Sequence, residues 1–197
     1  MKESNLSKAN VRERLSHTKL NKDLAGYKLV KWTEEDKQLT ITWDFYPTDL
    51  GEVLIASTTK GLCFLGFGDD QRDFTIKELK GKFPENQLEQ GESPNHKEGL
   101  SRIGHPEATN TVHLHLKGTD FQFNIWEKIL KVPFGGLVTY GQLGDQPNNA
   151  RAVGTAVGAN PVCLIIGCHR VVHADGDITG FHYGNPIKEK LLAFEAQ

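Results

Sequence analysis

The chain has 197 residues, 38% hydrophobic and 24% charged, with a formal net charge of −2 and a pI near 6.4. Such a composition suits a soluble globular protein of one large or two small domains, and argues against nucleic-acid binding through bulk charge. No apolar run approaches the roughly 20 residues that span a bilayer, so no membrane partner is expected. Residues 1–5 lack the apolar segment of an export signal, and the three cysteines, Cys63, Cys163 and Cys168, cannot all pair within one chain. Reduced thiols in a cytoplasmic protein are therefore expected.

Residues 1–38 read as a basic, partly ordered arm. Up to Lys31 it carries eight lysines and arginines against three acids, a net +5, with few apolar positions. A solvated segment is the simpler reading than a DNA-binding element. Order is expected from Leu39. Ile41, Trp43 and Phe45 alternate with polar residues, the period of a half-buried strand. A turn at Pro47–Gly51, a strand at Val53–Ser57, a turn at Thr59–Gly61 and a strand at Leu62–Phe67 complete a small antiparallel meander. Ile76, Leu79, Lys80 and Phe83 have helical spacing. The stretch 84–106 is polar and reads as a long connection.

Val112, Leu114 and Leu116 alternate into a fourth strand. His113 and His115 then share its outer face; with no third ligand in view they read as solvent-facing, and no metal is expected. From Gly118 the character becomes helical. Thr119 with Gln122 forms a capping box, and Phe121, Ile125, Trp126, Ile129 and Leu130 form an apolar face ending before Pro133. Thr139 with Gln142 is a second box opening a very short helix. Asn148 or Asn149 caps a third helix, 150–159, rich in small residues. Two short helices joined by a tight turn, with Arg151 in the first turn of the second, have the layout of a helix-turn-helix, although close packing of small residues in a core gives the same pattern. Asn185 as N-cap and Pro186 at N1 open a last helix whose buried side is Ile187, Leu191, Leu192 and Phe194. The fold class is α+β, in three parts: the arm 1–38, an α/β subdomain 39–117 and a C-terminal domain 118–197.

The chemistry points to Ile166–Val172. An apolar run, Val162–Ile166, delivers Gly167-Cys168-His169-Arg170 to a turn-rich stretch. A cysteine flanked by glycine and histidine at the exit of a buried segment is placed to react. Cys163, inside the apolar run, reads as an inert buried thiol, and Cys63 as core. A metal site from Cys163, Cys168, His169 and His173 is disfavoured, because residues alternate faces along a strand and coordination would consume the nucleophile.

Three stretches together resemble the O6-alkylguanine-DNA alkyltransferases, or methylated-DNA–protein-cysteine methyltransferases. The first is Phe121-Gln122, Ile125-Trp126, Val132-Pro133, Gly135 and Thr139-Tyr140. The second is Arg151-Ala152-Val153-Gly154 with Asn160-Pro161. The third is Cys168-His169-Arg170-Val171, Gly176, Gly180-Phe181, Gly184, Lys188, Leu191-Leu192 and Glu195. Gly167 stands where the family usually has proline, which implies a freer backbone before the nucleophile. Phe181 stands where tyrosine is common, and the stretch from Tyr140 to Arg151 is a few residues short, implying a clipped first helix.

The resemblance implies a ribonuclease-H-like N-terminal subdomain and a winged-helix-like C-terminal domain with a helix-turn-helix. It implies stoichiometric transfer of an alkyl group from O6-alkylguanine in double-stranded DNA to Cys168, by a monomer without a cofactor. His169 would take the thiol proton and Glu195 would orient the imidazole; without the resemblance Glu195 reads as a solvated residue near the C-terminus. Arg151 would fill the gap left by a flipped base, against the plainer reading of a phosphate contact. Tyr140 would sit by the flipped nucleotide's phosphate and protonate the leaving guanine, rather than being an ordinary half-buried tyrosine. Thr139, Ala152 and Gly154 would lie against DNA. Asn160 would bond backbone near Cys168, although Asn-Pro also makes a bare turn. Val171 and His182 would offer backbone to the guanine edge, with Gly180 and Phe181 in a loop closing over the alkyl group. Lys188 either stabilises the departing guanine or solvates its helix. The competing functions are a lesion-binding protein without transfer and a cysteine hydrolase using Cys168, His169 and Glu195.

Overall fold

The computed structural model describes residues 6–24, 26–105, 107–144 and 149–196. In chain order they form α1 (Lys8–His17), β1 (Tyr27–Lys31), β2 (Ile41–Thr48), β3 (Gly51–Thr58), β4 (Gly61–Phe67), α2 (Arg72–Lys82), β5 (Leu88–Gln90) and α3 (Pro94–Leu100). There follow β6 (Val112–Leu116), α4 (Asp120–Leu130), β7 (Val138–Thr139), α5 (Tyr140–Leu143), α6 (Ala150–Gly158), β8 (Val171–Val172) and α7 (Asn185–Phe194). The chain divides into two compact units, one drawn from 1–25, 119–160 and 166–197, the other from 26–118 and 161–165.

The second unit is built on a six-stranded sheet in the order β1-β6-β4-β3-β2-β5. The meander β2-β3-β4 is antiparallel, as the alternation predicts. The sheet is nevertheless mixed: β1 pairs parallel with β6, β6 with β4, and β2 with β5. Two expectations change as a result. The connection 84–106 contains β5 and α3, and β2 runs through Pro47 to Thr48 where a turn was expected. Proline is tolerated there because β5 pairs only with Ile41–Trp43, leaving that end of β2 without a ladder on its outer side. Ile41, Leu54, Ala56, Cys63, Phe64, Leu79 and Phe83 form a core on which α2 packs. Burial pushes the Cys63 thiol up.

The basic arm is also corrected. Residues 27–31 are a sheet strand, because Tyr27–Lys31 lies in register with Val112–Leu116. That pairing is non-local, and the charged composition of the segment hides it. β1 and the 3-10 turn Glu34–Gln38 explain a second correction, at His115. The ring is fully buried rather than solvent-facing, stacked on Trp32 with centroids 4.5 Å apart. Its Nε2 lies 3.1 Å from Asp36 Oδ2 and its Nδ1 lies 2.7 Å from Thr58 Oγ1. Asp36, 1% exposed, also accepts from Thr33 N at 2.7 Å and pairs with Lys60 Nζ at 2.5 Å. Burial pushes its carboxyl up, and these donors outweigh burial and hold it well below the usual range. Burial lowers His115, opposed by Asp36.

In the first unit both capping boxes form. Thr119 Oγ1 accepts from Gln122 N at 3.2 Å while Gln122 Oε1 accepts from Thr119 N at 2.9 Å; Thr139 and Gln142 repeat this at 3.1 and 2.7 Å. α4 buries Ile125, Trp126, Ile129 and Leu130, and Trp126 Nε1 donates to Ala156 O at 2.9 Å, tying α4 to α6. Phe121, expected on that face, is instead 40% exposed. α5 and α6 pack on each other and on α4. Asn149 precedes α6 without a side-chain cap bond, and Asn148 lies outside the described residues, as does the rest of 145–148. Gly184, at φ +94°, is the N-cap of α7 in place of Asn185. α1, expected to be solvated, buries Val11 completely against Leu137, Val172 and Leu192.

Truncating the carboxylate under His115 tests the buried network. Asp36→Ala leaves a buried imidazole and Lys60 without their acceptor and should lower unfolding free energy by about 3–5 kcal/mol. Lys60→Ala, on a side chain 44% exposed, should cost about 1 kcal/mol or less. Urea unfolding measures both, and equal small losses would contradict the network.

Candidate active site: a buried cysteine loop braced by one carboxylate

The loop carrying Cys168 is held by its backbone. Gly167 has φ −62° and ψ 60°, and Cys168 N donates to Ile166 O at 2.6 Å, closing an inverse γ-turn. Asn160 Nδ2 donates to the same carbonyl at 2.7 Å. Arg170 N then bonds to Gly167 O at 2.9 Å, a 3-10 turn spans Cys168–Arg170, and β8 pairs with β7 through Val138↔Val171 and Thr139↔Val172. The freer backbone expected at Gly167 is therefore corrected. Its φ is one that proline would also adopt, and its neighbours bond on both sides. What the missing side chain provides is room: a Cβ there would lie 3.1 Å from Cδ, Nε and Cζ of Arg170.

That space matters because Arg170 is one of three groups converging on Glu195. Glu195 lies at the C-cap of α7 and is 8% exposed, so it is not the solvated residue that its place near the C-terminus alone suggests. Its Oε1 accepts from His169 Nε2 at 2.8 Å and from Arg170 Nη2 at 2.8 Å. Its Oε2 accepts from Arg170 Nε at 2.9 Å and from Gly135 N at 3.1 Å. Burial pushes this carboxyl up, and His169 and Arg170 together outweigh it and hold it well below the usual range. Arg170 Nη1 also donates to Val132 O at 3.0 Å, fixing the guanidinium.

The carboxylate determines which ring nitrogen of His169 is basic. With Nε2–H donating to Glu195, the neutral ring carries its lone pair on Nδ1. Nδ1 is buried and has no hydrogen-bond partner among the described residues. Burial lowers the His169 pKa from 6.5; Glu195 opposes this, while Arg170 and Lys188 add to it. The ring is thus neutral at pH 7 and able to accept a proton, one residue from a cysteine that is 9% exposed.

The remaining predicted residues fall into two groups. Lys188 is 1% exposed, which removes the reading that it solvates its helix; Nζ donates to Val171 O at 2.7 Å. Burial lowers its pKa to about 8, opposed by the charges of Cys168 and Asp177. Tyr140 opens α5 with its ring centroid 5.2 Å from that of His173. Burial, then the Cys168 charge, raises its pKa, so the phenol stays protonated at pH 7. Thr139 is spent capping α5, and Val171 is fully buried with its carbonyl on Lys188. On α6, Arg151 and Ala152 are exposed beside Thr155 and Gly158, and nothing lies within 4 Å of a Cβ built on Gly154. That stripe of small residues faces outward rather than into a core. Gly180 is exposed at φ +85°, Phe181 is half-buried 6.2 Å from the Tyr183 ring, and His182 is exposed. Sequence reasoning gave Arg170 and Gly135 no role. Their positions in the quoted motifs were the available signal, but their purpose depends on a carboxylate 25 and 60 residues away. Among the described residues no cluster of three or more His, Cys, Asp or Glu could hold a metal ion.

A buried cysteine next in sequence to a carboxylate-oriented imidazole, on an α+β fold with an exposed stripe of small residues on α6, defines a thiol–imidazole–carboxylate class of site. The family profile for the 6-O-methylguanine DNA methyltransferase DNA-binding domain matches residues 120–197. The chain is 32% identical over 167 residues to the bifunctional transcriptional activator/DNA repair enzyme Ada of Escherichia coli, covering 82% of this chain and 47% of Ada. It is 31% identical over 159 residues to the inducible methylated-DNA–protein-cysteine methyltransferase of Bacillus subtilis, covering 78% of this chain and 84% of that one. A Mycobacterium tuberculosis methylated-DNA–protein-cysteine methyltransferase is 46% identical over 87 residues, 43% of this chain and 53% of that protein. The chain thus spans about half the length of several curated relatives it matches. The crystal structure of M. tuberculosis O6-methylguanine methyltransferase superposes with a TM-score of 0.64 at 31% identity over 79% of this chain and 93% of that one. A structure of the same mycobacterial protein in complex with DNA gives 0.61 at 31% identity over 80% and 93%. The chain belongs to the methylated-DNA–protein-cysteine methyltransferase family, and its α+β fold with a mixed sheet is that of the solved relatives.

Asn160 provides a direct test of the loop. Asn160→Ala removes one of the two donors to the Ile166 carbonyl and should cost about 1 kcal/mol in urea unfolding. It should also slow alkylation of Cys168 by iodoacetamide at pH 7 relative to wild type. An unchanged rate would mean that the γ-turn holds without it.

Proposed function

We propose that the protein repairs DNA by moving an alkyl group, methyl in the simplest case, from O6-alkylguanine in a duplex to Cys168, once per molecule. The observation that carries this reading is the Glu195–His169 pair beside Cys168, with Nδ1 of the ring left as its basic atom. Family membership and the DNA complex of the mycobacterial relative support it.

In this reading the first unit is a winged-helix-like domain whose α5 and α6 form the helix-turn-helix, and the second is a ribonuclease-H-like subdomain. The protein acts as a monomer in the cytoplasm or on the nucleoid. Arg151, Ala152 and Gly154 lie against DNA, where a side chain larger than glycine at 154 would hold the backbone away. The lesion leaves the stack, at a cost of a few kcal/mol that is smallest for a weakened base pair, and Arg151 occupies the gap. Gly180, Phe181 and His182 border the pocket, and backbone at Val171 and His182 meets the guanine edge.

Chemistry follows from proton positions. His169 Nδ1 takes the thiol proton, directly or through a water, and the imidazolium is stabilised by Glu195. The thiolate attacks the alkyl carbon opposite O6, the S–C bond forms, and the C–O6 bond breaks. The electron pair leaves on guanine, which receives a proton from Tyr140. Lys188, lowered by burial and attracted to the Cys168 charge, stabilises the anion on either side of the transfer. The product is a thioether, which no group of the chain is proposed to reverse.

Incubation with a duplex containing O6-methylguanine should add one methyl group to the peptide containing Cys168, detected by mass, and none in Cys168→Ser. DNA bound with the methyl group retained on guanine would favour a lesion-binding protein. Burst release from an activated ester would favour a cysteine hydrolase. Transfer should keep its rate as pH falls to 6.5 and decline only below, because burial holds His169 below that value in the fold. A decline centred above pH 6.5 would contradict a neutral base. Arg151→Ala should slow transfer from a duplex more than it weakens binding, whereas a drop of about one in the slope of log affinity against log salt with the transfer rate unchanged would mark Arg151 as a phosphate contact.

A further inference from the structure

α1 lies outside every motif of the family resemblance, yet one of its side chains reaches the backbone on both sides of Glu195. Arg14, in the last turn of α1, donates from Nε to Gly135 O at 3.0 Å and from Nη1 to Leu192 O at 3.0 Å. Gly135 belongs to the turn after α4, and its own N–H donates to Glu195 Oε2 at 3.1 Å. Leu192 O is among the last four carbonyls of α7, which have no partner within the helix. One planar guanidinium therefore joins the turn that bonds the carboxylate to the helix end that carries it. A lysine has no fork with which to do this.

The turn has little slack. Gly135 has φ +75°, and a Cβ built on it would lie 2.8 Å from Glu195 O, so this backbone passes in direct contact with α7. Movement there shifts the Gly135 N–H relative to Oε2. α1 and the residues just after it hold Arg14 in place. Thr18 Oγ1 donates to Arg14 O at 2.8 Å and accepts from Leu137 N at 2.9 Å. Val11 is buried with Leu137, Val172 and Leu192, and Asn21 N donates to Lys131 O at 2.7 Å. Lys8 pairs with Asp175 at 2.8 Å on an exposed edge, where the contribution to stability is small.

We propose that Arg14 is a positioning residue for alkyl transfer, clamping the Gly135 turn to the end of α7 so that Glu195 stays in line with His169 Nε2. Arg14 touches neither the thiol nor the substrate. Its charge also faces Glu195 and Arg170, the one attractive and the other repulsive. Because the carboxylate accepts from three residues, a small displacement of the turn weakens the orientation of the imidazole before it unfolds anything. The inference rests on the alkyl-acceptor reading of Cys168, but its structural half can be read independently.

The test compares the full chain with Arg14→Met, Arg14→Lys and Ile41→Val. Ile41→Val is a buried truncation in the other unit that lowers stability without touching the clamp. Two quantities are followed: the single-turnover rate of methyl transfer from an O6-methylguanine duplex, and the proton NMR signal of the His169 Nε2–H bonded to Glu195. Arg14→Met should slow transfer by about tenfold or more and lose or broaden that signal. Arg14→Lys should fall between, and Ile41→Val should match wild type in both. Arg14→Met with the signal intact and a rate within about twofold of wild type would overturn the proposal, as would Ile41→Val reproducing both losses. If wild type itself transfers no methyl group, the alkyl-acceptor reading fails, and the NMR signal alone decides whether Arg14 holds the pair.

Discussion

A carboxylate almost out of water is the constraint around which the first unit is arranged. Burying Glu195 is unfavourable unless its oxygens are occupied, and an unpaired charge at that depth would cost several kcal/mol. The occupants are His169, the Nε–Nη2 edge of Arg170, and the Gly135 N–H. They come from two separate stretches, the adjacent His169 and Arg170 and the turn after α4, so the hub sets the position of the cysteine loop, of that turn, and of the end of α7. Gly167 fits the same arrangement, since a side chain there would press on Arg170. The hydrogen bonds that orient the proposed base also brace the first unit.

The second unit contains a similar pair put to another use. Asp36 and His115 are as deeply buried as Glu195 and His169, and their carboxylate is also held low by donors. In that pair, however, both ring nitrogens have partners, Asp36 on one side and Thr58 on the other. No lone pair remains for a reaction. In His169 only Nε2 is occupied among the described residues, and the residue with the unpartnered nitrogen follows Cys168 in the chain. Under the proposed function, what the second nitrogen meets separates the reactive pair from the structural one, and burial or a depressed pKa does not.

Features encoded locally were legible in the sequence. Both capping boxes form because their partners are three residues apart, and the β2-β3-β4 meander follows from alternation and tight turns. Features set by distant pairing were not. β1 lies in a stretch read as a charged arm, and it is β1 and the turn behind it that bury His115, which alternation alone placed outside. In the same way Arg170 and Gly135 were quoted as motif letters without a task, since nothing within a few residues of either reveals an acceptor on the last helix. Arg14 carried no signal beyond its charge.

The account depends most on Glu195 making His169 a base for Cys168, and the single-turnover methyl-transfer rate of Glu195→Gln at pH 7 measures this directly. Glutamine keeps the size of the side chain but removes the charge that stabilises an imidazolium and leaves Arg170 without a counter-ion. Glu195→Gln should be folded, checked by circular dichroism, with transfer to Cys168 slower by on the order of a hundredfold. A folded Glu195→Gln that transfers at the wild-type rate would contradict it.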